Sequence, residues 1–254
     1  TLNLGARLDY ENYGGFEPSA RAALAYELSE TSLLYGSVSR AFQMPPIGVR
    51  FMDVYVLNGI VRGTGKQDTD AEGLFAYELG YRAEPSGEVS FDVNLFWHEY
   101  DGLTTLSPRL GPPGLVTIEF DNQGDASLYG LEWEGKWRAS EKLTLLANYT
   151  WQGFNWRGDV PYHDKDAMTP PKHKAMLGVR YAATGDLRLA AHAWFVDEVE
   201  APSSSRLITT RDIDAYVRLD LRAEHDLRDD TGMFAVGVRN LLDPDHREGA
   251  TIYL

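Results

Sequence analysis

The chain has 254 residues, 24 Lys and Arg against 38 Asp and Glu, a net charge of −14 and no cysteine. Such acidity excludes the basic patch that a nucleic-acid partner requires, and the missing thiols exclude thiol catalysis, a disulfide scaffold and cysteine-ligated zinc. No run approaches the ~20 apolar residues of a membrane-spanning helix.

Period-two alternation of apolar and polar side chains runs through almost the whole chain, and convincing helical spacing is absent. The opening "TLNLGARLDYEN" already reads as mid-strand, so the chain is expected to be a fragment or to be numbered from an internal point. Eleven strands are predicted, each bounded by Gly, Pro, Asn, Asp or Ser clusters. They fall near 2–11, 18–28, 32–43, 73–84, 88–104, 116–138, 142–153, 172–183, 187–198, 214–227 and 233–242. Many exceed the ~5–6 residues of an ordinary strand and match the ~9–11 that cross a bilayer at a tilt.

The connections alternate in length. Those following residues 28, 84, 138, 183 and 227 are short, whereas 44–72, 105–115, 154–171 and 199–213 are longer, after a first loop of intermediate length at 12–17. A meander with short turns at one end and long loops at the other is the plan of an outer-membrane barrel.

Sidedness gives the same answer. In 131–138, Leu131, Trp133, Gly135 and Trp137 oppose Glu132, Glu134, Lys136 and Arg138. In 187–195, Leu187, Leu189, Ala191, Ala193 and Phe195 oppose Arg188, Ala190, His192 and Trp194. In 217–226, Val217, Leu219, Leu221 and Ala223 oppose Arg218, Asp220, Arg222, Glu224 and Asp226. The stretch 74–103 puts Glu78, Arg82, Asp92, Asn94 and His98 on one side. Rows of inward charge cannot form a dry core, and they need a wide lumen or a polar domain filling it. Two aromatic girdles are expected on the apolar side: Tyr26, Tyr35, Tyr81, Trp137 and Tyr181 near the short turns, and Tyr10, Trp97, Trp151 and Phe195 near the long loops.

Six pieces then stand in a recognisable order. They are "LLYGSVSRAFQMP" (33–45), "YELGY" (77–81), "LFWHEY" (95–100), "NQGDASLYGLEWE" (122–134), "PPKHK" (170–174) and "VRNLLD" (238–243). Together they resemble the C-terminal barrel half of a TonB-dependent outer-membrane receptor, with one departure. The Leu-x-Pro-Glu lead-in expected before "YELG" is replaced by "DTDAEGLFA", without Pro.

The fold implied is an all-β transmembrane antiparallel barrel, an up-and-down meander of which about 11 strands of ~22 lie in residues 1–254. The plug domain and the last strand are expected to lie outside the chain. The resemblance implies a receptor and active transporter of the bacterial outer membrane, most often importing a ferric siderophore. Its partners would be outer-membrane lipid, its own N-terminal plug and, through that plug, the TonB complex; no cofactor and no nucleic acid are implied. The lumen residues Glu78, Arg82, Glu132, Glu134, Arg218, Asp220 and Arg222 would face the plug. In the external loops Tyr55, Arg62, Arg109, Trp156, Arg157, Tyr162 and His163 are candidate ligand contacts, through aromatic stacking and Arg charge pairing.

Catalysis and metal binding are the weaker readings. Glu132 and Glu134 lie about 7 Å apart along one strand face, a spacing that suits an inverting glycosidase pair, yet inward carboxylates are expected throughout such a barrel. Ser90 and His98 share a face but lie ~26 Å apart. His163, Asp164, Asp166 and His173 match no closed zinc pattern. Two other classes remain open: a passive channel of about 12 strands, and a soluble β-protein that binds glycans.

Overall fold

The computed structural model describes residues 1–157, 169–199, 213–227 and 232–242. Among the described residues thirteen strands join in one sheet. Its long members are β1 (Leu2–Glu11), β2 (Gly15–Ser29), β3 (Ser32–Gln43), β6 (Glu72–Ser86), β7 (Val89–Leu110), β8 (Val116–Arg138), β9 (Leu143–Arg157), β10 (His173–Ala182), β11 (Leu187–Val196), β12 (Tyr216–Asp226) and β13 (Met233–Val238). They pair in chain order, each antiparallel to the last. All eleven expected long strands are present.

Two differences are instructive. The segment 44–72 is folded rather than a plain loop: it holds a one-turn helix α1 (Ile47–Phe51) and a hairpin of β4 (Asp53–Val56) and β5 (Val61–Thr64). The segment expected as a loop at 105–115 is mostly strand, because β7 and β8 stay paired out to Leu110 and Val116. Pro108 sits within this ladder and reads as a breaker in the sequence, but it is tolerated on a strand whose partner edge does not need its missing N–H.

Register explains the period-two pattern. Across β6, β7, β8 and β9 the row Tyr77, Trp97, Tyr129 and Gly153 alternates with the row Glu78, Phe96, Gly130 and Gln152. The apolar face is left open: Leu177 is 65% exposed and Trp137 51%. Among the described residues only Val61, Ala76, Ala83 and Ala126 are buried apolar side chains. A soluble sandwich holds its layers together by the apolar area it buries, and this sheet has no such core. Among the described residues no helix is long and apolar enough to cross a membrane, which says nothing about strands.

The aromatic girdles follow the expected parity with one correction. Tyr35 pairs with Gly80, in the row of Asn94 and Glu132, so it lies on the polar face and not in the apolar girdle. Its ring lies over Gly80, where a β-carbon would overlap it, and its hydroxyl donates to Asp92 at 2.6 Å. The register places the tyrosine on the polar side, and the glycine opposite it leaves room for its ring.

Candidate functional site

The polar face carries two networks. On β3, β6 and β7, Arg82 pairs with Asp92 at 2.7 Å and stands 6.0 Å over the Tyr35 ring, while Ser37 donates to Glu78 at 3.0 Å. On β11 and β12, Arg218 pairs with Asp220 at 3.2 Å and lies 4.4 Å over Trp194. There Arg222 and Arg188 share Glu224 at 2.6 and 3.3 Å, and Arg188 also binds Asp226. Between these networks, Glu132 and Glu134 find no ion pair with Lys136, Arg138 or any other described residue. Beside them Asn94 Oδ1 and His98 Nε2 are buried without a hydrogen-bond partner. The Tyr35→Phe substitution is expected to lower stability by about 1 kcal/mol, one net hydrogen bond, because Asp92 keeps its Arg82 partner. Urea refolding into micelles measures it, and a loss several times larger would mean that Asp92 depends on the tyrosine.

The outer end is built from segment 44–72. Arg50 is only 3% exposed and reaches Glu11 Oε2 at 2.8 Å and the Thr69 carbonyl at 3.0 Å. Glu11 also accepts from the Gly14 and Tyr13 amides, so one carboxylate organises the β1–β2 turn and anchors the helix behind it. The Arg50 guanidinium, then those amides, holds the Glu11 carboxyl below its ordinary value. On the hairpin, Arg62 makes a bidentate pair with Asp53 at 2.8 and 2.9 Å and lies 5.5 Å over Tyr55. That bonding lowers the Asp53 carboxyl and raises Arg62.

Lys66 crosses to Asp121 on β8 at 2.9 Å. Each shifts the other: Asp121 is lowered chiefly by Lys66, and Lys66 is raised chiefly by Asp121. A lowered carboxyl contributes stability above its unfolded value that is lost as pH falls through the folded one. A raised amine contributes below its unfolded value and loses it as pH rises through the folded one. The tie is therefore expected to be constant between about pH 5 and pH 9 and to weaken below about pH 4. Amide exchange at Lys66 and Thr69 measures this, and Lys66→Met should abolish the acid limb.

These features identify a lineage. A family model described as TonB dependent receptor-like, beta-barrel, matches residues 1–241. The chain belongs to that family. Among solved structures, a mutant ferric enterobactin receptor from Pseudomonas aeruginosa bound to enterobactin aligns with TM-score 0.78 at 18% identity, covering 100% of this chain and 39% of that one. The siderophore receptor PirA from Acinetobacter baumannii gives 0.72 at 17% identity, covering 96% and 39%. The copper transporter OprC gives 0.69 at 16% identity, covering 91% and 34%. These likenesses establish the fold, and the chain spans about two-fifths of the length of the receptors it matches.

In transmembrane barrels the polar parity is the one that faces the lumen and the apolar parity the one that faces lipid. The expected lumen residues Glu78, Arg82, Glu132, Glu134, Arg218, Asp220 and Arg222 all share the polar face. The expected ligand contacts do not form one cluster. Tyr55 and Arg62 touch on the β4–β5 hairpin, and Arg109 pairs with Glu119 at 3.1 Å high on the β7–β8 hairpin. Trp156 packs edge-on against Phe154 at 5.2 Å on the polar side. Arg157 has the opposite parity, above Tyr129 and Trp151, and binds Glu99 at 2.6 Å and Asp101 at 3.2 Å. Tyr162 and His163, with Asp164 and Asp166, lie outside the described residues.

Sequence reasoning missed Arg50, Lys66, Thr69 and Asp121. Asn122 stands at the head of one resemblance segment and gives the nearest signal. Its side chain accepts from Asp70 N at 2.7 Å and donates to the Asp70 and Gly102 carbonyls at 3.1 and 2.7 Å. Those bonds fix the "DTDAEG" stretch that departs from the family pattern.

Proposed function

We propose that this chain forms the lumen wall and part of the outer mouth of a TonB-dependent transporter of the bacterial outer membrane. Its cargo is a ferric siderophore or a similarly large, scarce solute. The N-terminal plug fills the lumen against Glu78, Arg82, Glu132, Glu134, Arg218, Asp220 and Arg222, and it passes inner-membrane energy from the TonB complex. Tyr55, Arg62, Arg109, Trp156 and Arg157, with Tyr162 and His163, are the outer residues proposed to meet the solute. The single observation that carries this reading is the central stripe of the polar face, where Glu132 and Glu134 are unpaired beside the unpartnered Asn94 Oδ1 and His98 Nε2. A polar domain lodged there would supply the missing partners, and many small pairings let it shift without stranding a buried charge. Siderophore receptors among the structural neighbours support the cargo class, and the copper transporter among them marks the competing one.

Uptake of radio-iron-labelled ferric enterobactin and of a ferric hydroxamate by cells carrying the full-length protein tests the reading. The expected result is accumulation that stops when TonB is deleted. Accumulation unchanged by that deletion would point to a passive channel, and copper accumulation in place of iron would move the cargo class.

A further inference from the structure

Segment 44–72 is secured at four places. The buried Arg50 ties it to Glu11 beside the β1–β2 turn and to its own end at Thr69. Strand β5 lies parallel to β8, with Val61, Arg62, Gly63 and Thr64 opposite Val116, Thr117, Ile118 and Glu119. The Val116 amide donates to the Ile60 carbonyl at 2.8 Å. Lys66 meets Asp121, and Asp70 exchanges two hydrogen bonds with Asn122.

The topology makes these ties unusual for a loop. In the barrel wall β8 lies between β7 and β9, but β9 pairs with it only between Asp125 and Arg138. Beyond Asp125 that edge of β8 is taken by β5, so the outer sheet runs β4–β5–β8–β7. To reach the far edge of β8, the segment passes across the β7–β8 hairpin. Thr105 and Thr69, 1% and 2% exposed, and Ser107 are buried where the hairpin and the segment meet. Inside the fold Gly65 packs so closely that a β-carbon there would lie 2.5 Å from the Arg50 carbonyl carbon. Loops that close over ligands come from the weakly held part of a structure, with few buried contacts and exposed backbone bonds. Arg50, Val61 and Thr69 of this segment have the opposite character, buried and tied to other elements, and the exposed β4 side of the hairpin is held through its pairing with β5.

We propose that residues 44–72 are a fixed outer wall, rigid with the β7–β8 hairpin and the β1–β2 turn, and that solute capture on this side proceeds without their movement. Arg50, Lys66 and Asn122 act as positioning residues: they hold the Asp53–Arg62–Tyr55 face in place and are not themselves proposed to touch solute. The statement about capture rests on the transport reading above, whereas the rigidity does not.

Residues 1–254 hold no native cysteine, so within them an engineered pair can bond only to itself. Val61 and Val116 are register partners, about 4.8 Å apart at Cα for paired strands, inside the roughly 4.4–6.8 Å that a disulfide spans. In full-length Val61→Cys/Val116→Cys protein, the bond is expected to form with mild oxidant. Uptake of ferric enterobactin should then be equal within about twofold in oxidised and reduced forms, since a fixed wall has no opening step for the cross-link to block. In the unsubstituted protein without solute, amides of Val61–Thr64 should exchange at least about a hundredfold more slowly than exposed-loop amides. Failure of the bond to form, exchange at loop rates until solute is added, or a tenfold loss of uptake reversed by reductant would each overturn the proposal. If even the reduced protein takes up no ferric chelate, the transport reading fails, while cross-linking and exchange still decide the rigidity.

Discussion

Gly130→Ala is expected to impair folding of the barrel more than any other alanine substitution in β8. Gly130 stands in the polar row between Phe96 and Gln152. A β-carbon there would overlap the Trp151 carbonyl oxygen and lie 2.6 Å from Phe96 Cζ and 3.0 Å from Gln152 Cα. Phe96 can swing aside, but two of the three obstacles are backbone of the hydrogen-bonded neighbour. Relief therefore requires the β8–β9 ladder itself to shift, and overpacking of this kind costs about 1–3 kcal/mol or more. Gly80→Ala makes a useful contrast, because its three nearest obstacles are all atoms of the Tyr35 side chain. That ring can leave at the expense of its bond to Asp92. The urea midpoint for folding into micelles should fall further for Gly130→Ala than for Gly80→Ala. Adding Phe96→Ala should not restore the former, whereas equal midpoints, or full rescue by Phe96→Ala, would mean that the strand spacing is looser than the structure has it.

Arg50→Ala should release segment 44–72 while leaving the transmembrane strands folded. The guanidinium is buried between Glu11 and Thr69 and lies 5.9 Å over the Tyr13 ring. Losing its charged hydrogen bonds and packing should accelerate amide exchange at Gly65, Lys66 and Thr69 by roughly ten- to a hundredfold. Heat-modifiable migration should be unchanged, since no transmembrane pairing depends on it. Arg50→Lys keeps the charge but not the two-armed reach, so exchange should be intermediate. Unaltered exchange in Arg50→Ala would show that the β5–β8 pairing alone holds the segment.

The wall was legible in the sequence because a strand in a wet-lumen barrel must alternate residue by residue, and a one-residue slip would expose every charge to lipid. That constraint made the parity of Glu132, Glu134, Arg218 and Asp220 readable without any contact information. Tyr35 escaped because it is aromatic on the polar side, and only its opposition to Gly80 across two strands explains this. The outer mouth was poorly legible for a different reason. Its ties join residues far apart in the chain, such as Glu11 with Arg50 and Lys66 with Asp121, and no local period marks them. Arg62, Arg109 and Arg157 stood out as charges available to a solute, yet each is held by an acidic neighbour. The Pro and Gly residues of 108–114 suggested a long loop, whereas the β7–β8 ladder continues through Pro108 and turns only at 111–115.

The central claim is that one face of this sheet meets lipid and the other meets a plug. Single cysteines placed in turn at residues 131–134 of the full-length protein, in a bilayer, test it most directly. A nitroxide in the acyl chains should quench a fluorophore at Leu131→Cys and Trp133→Cys and spare Glu132→Cys and Glu134→Cys. Deleting the plug should open the latter two to a water-soluble maleimide. Quenching without alternation, or labelling of Glu132→Cys and Glu134→Cys that is the same with and without the plug, would contradict the account.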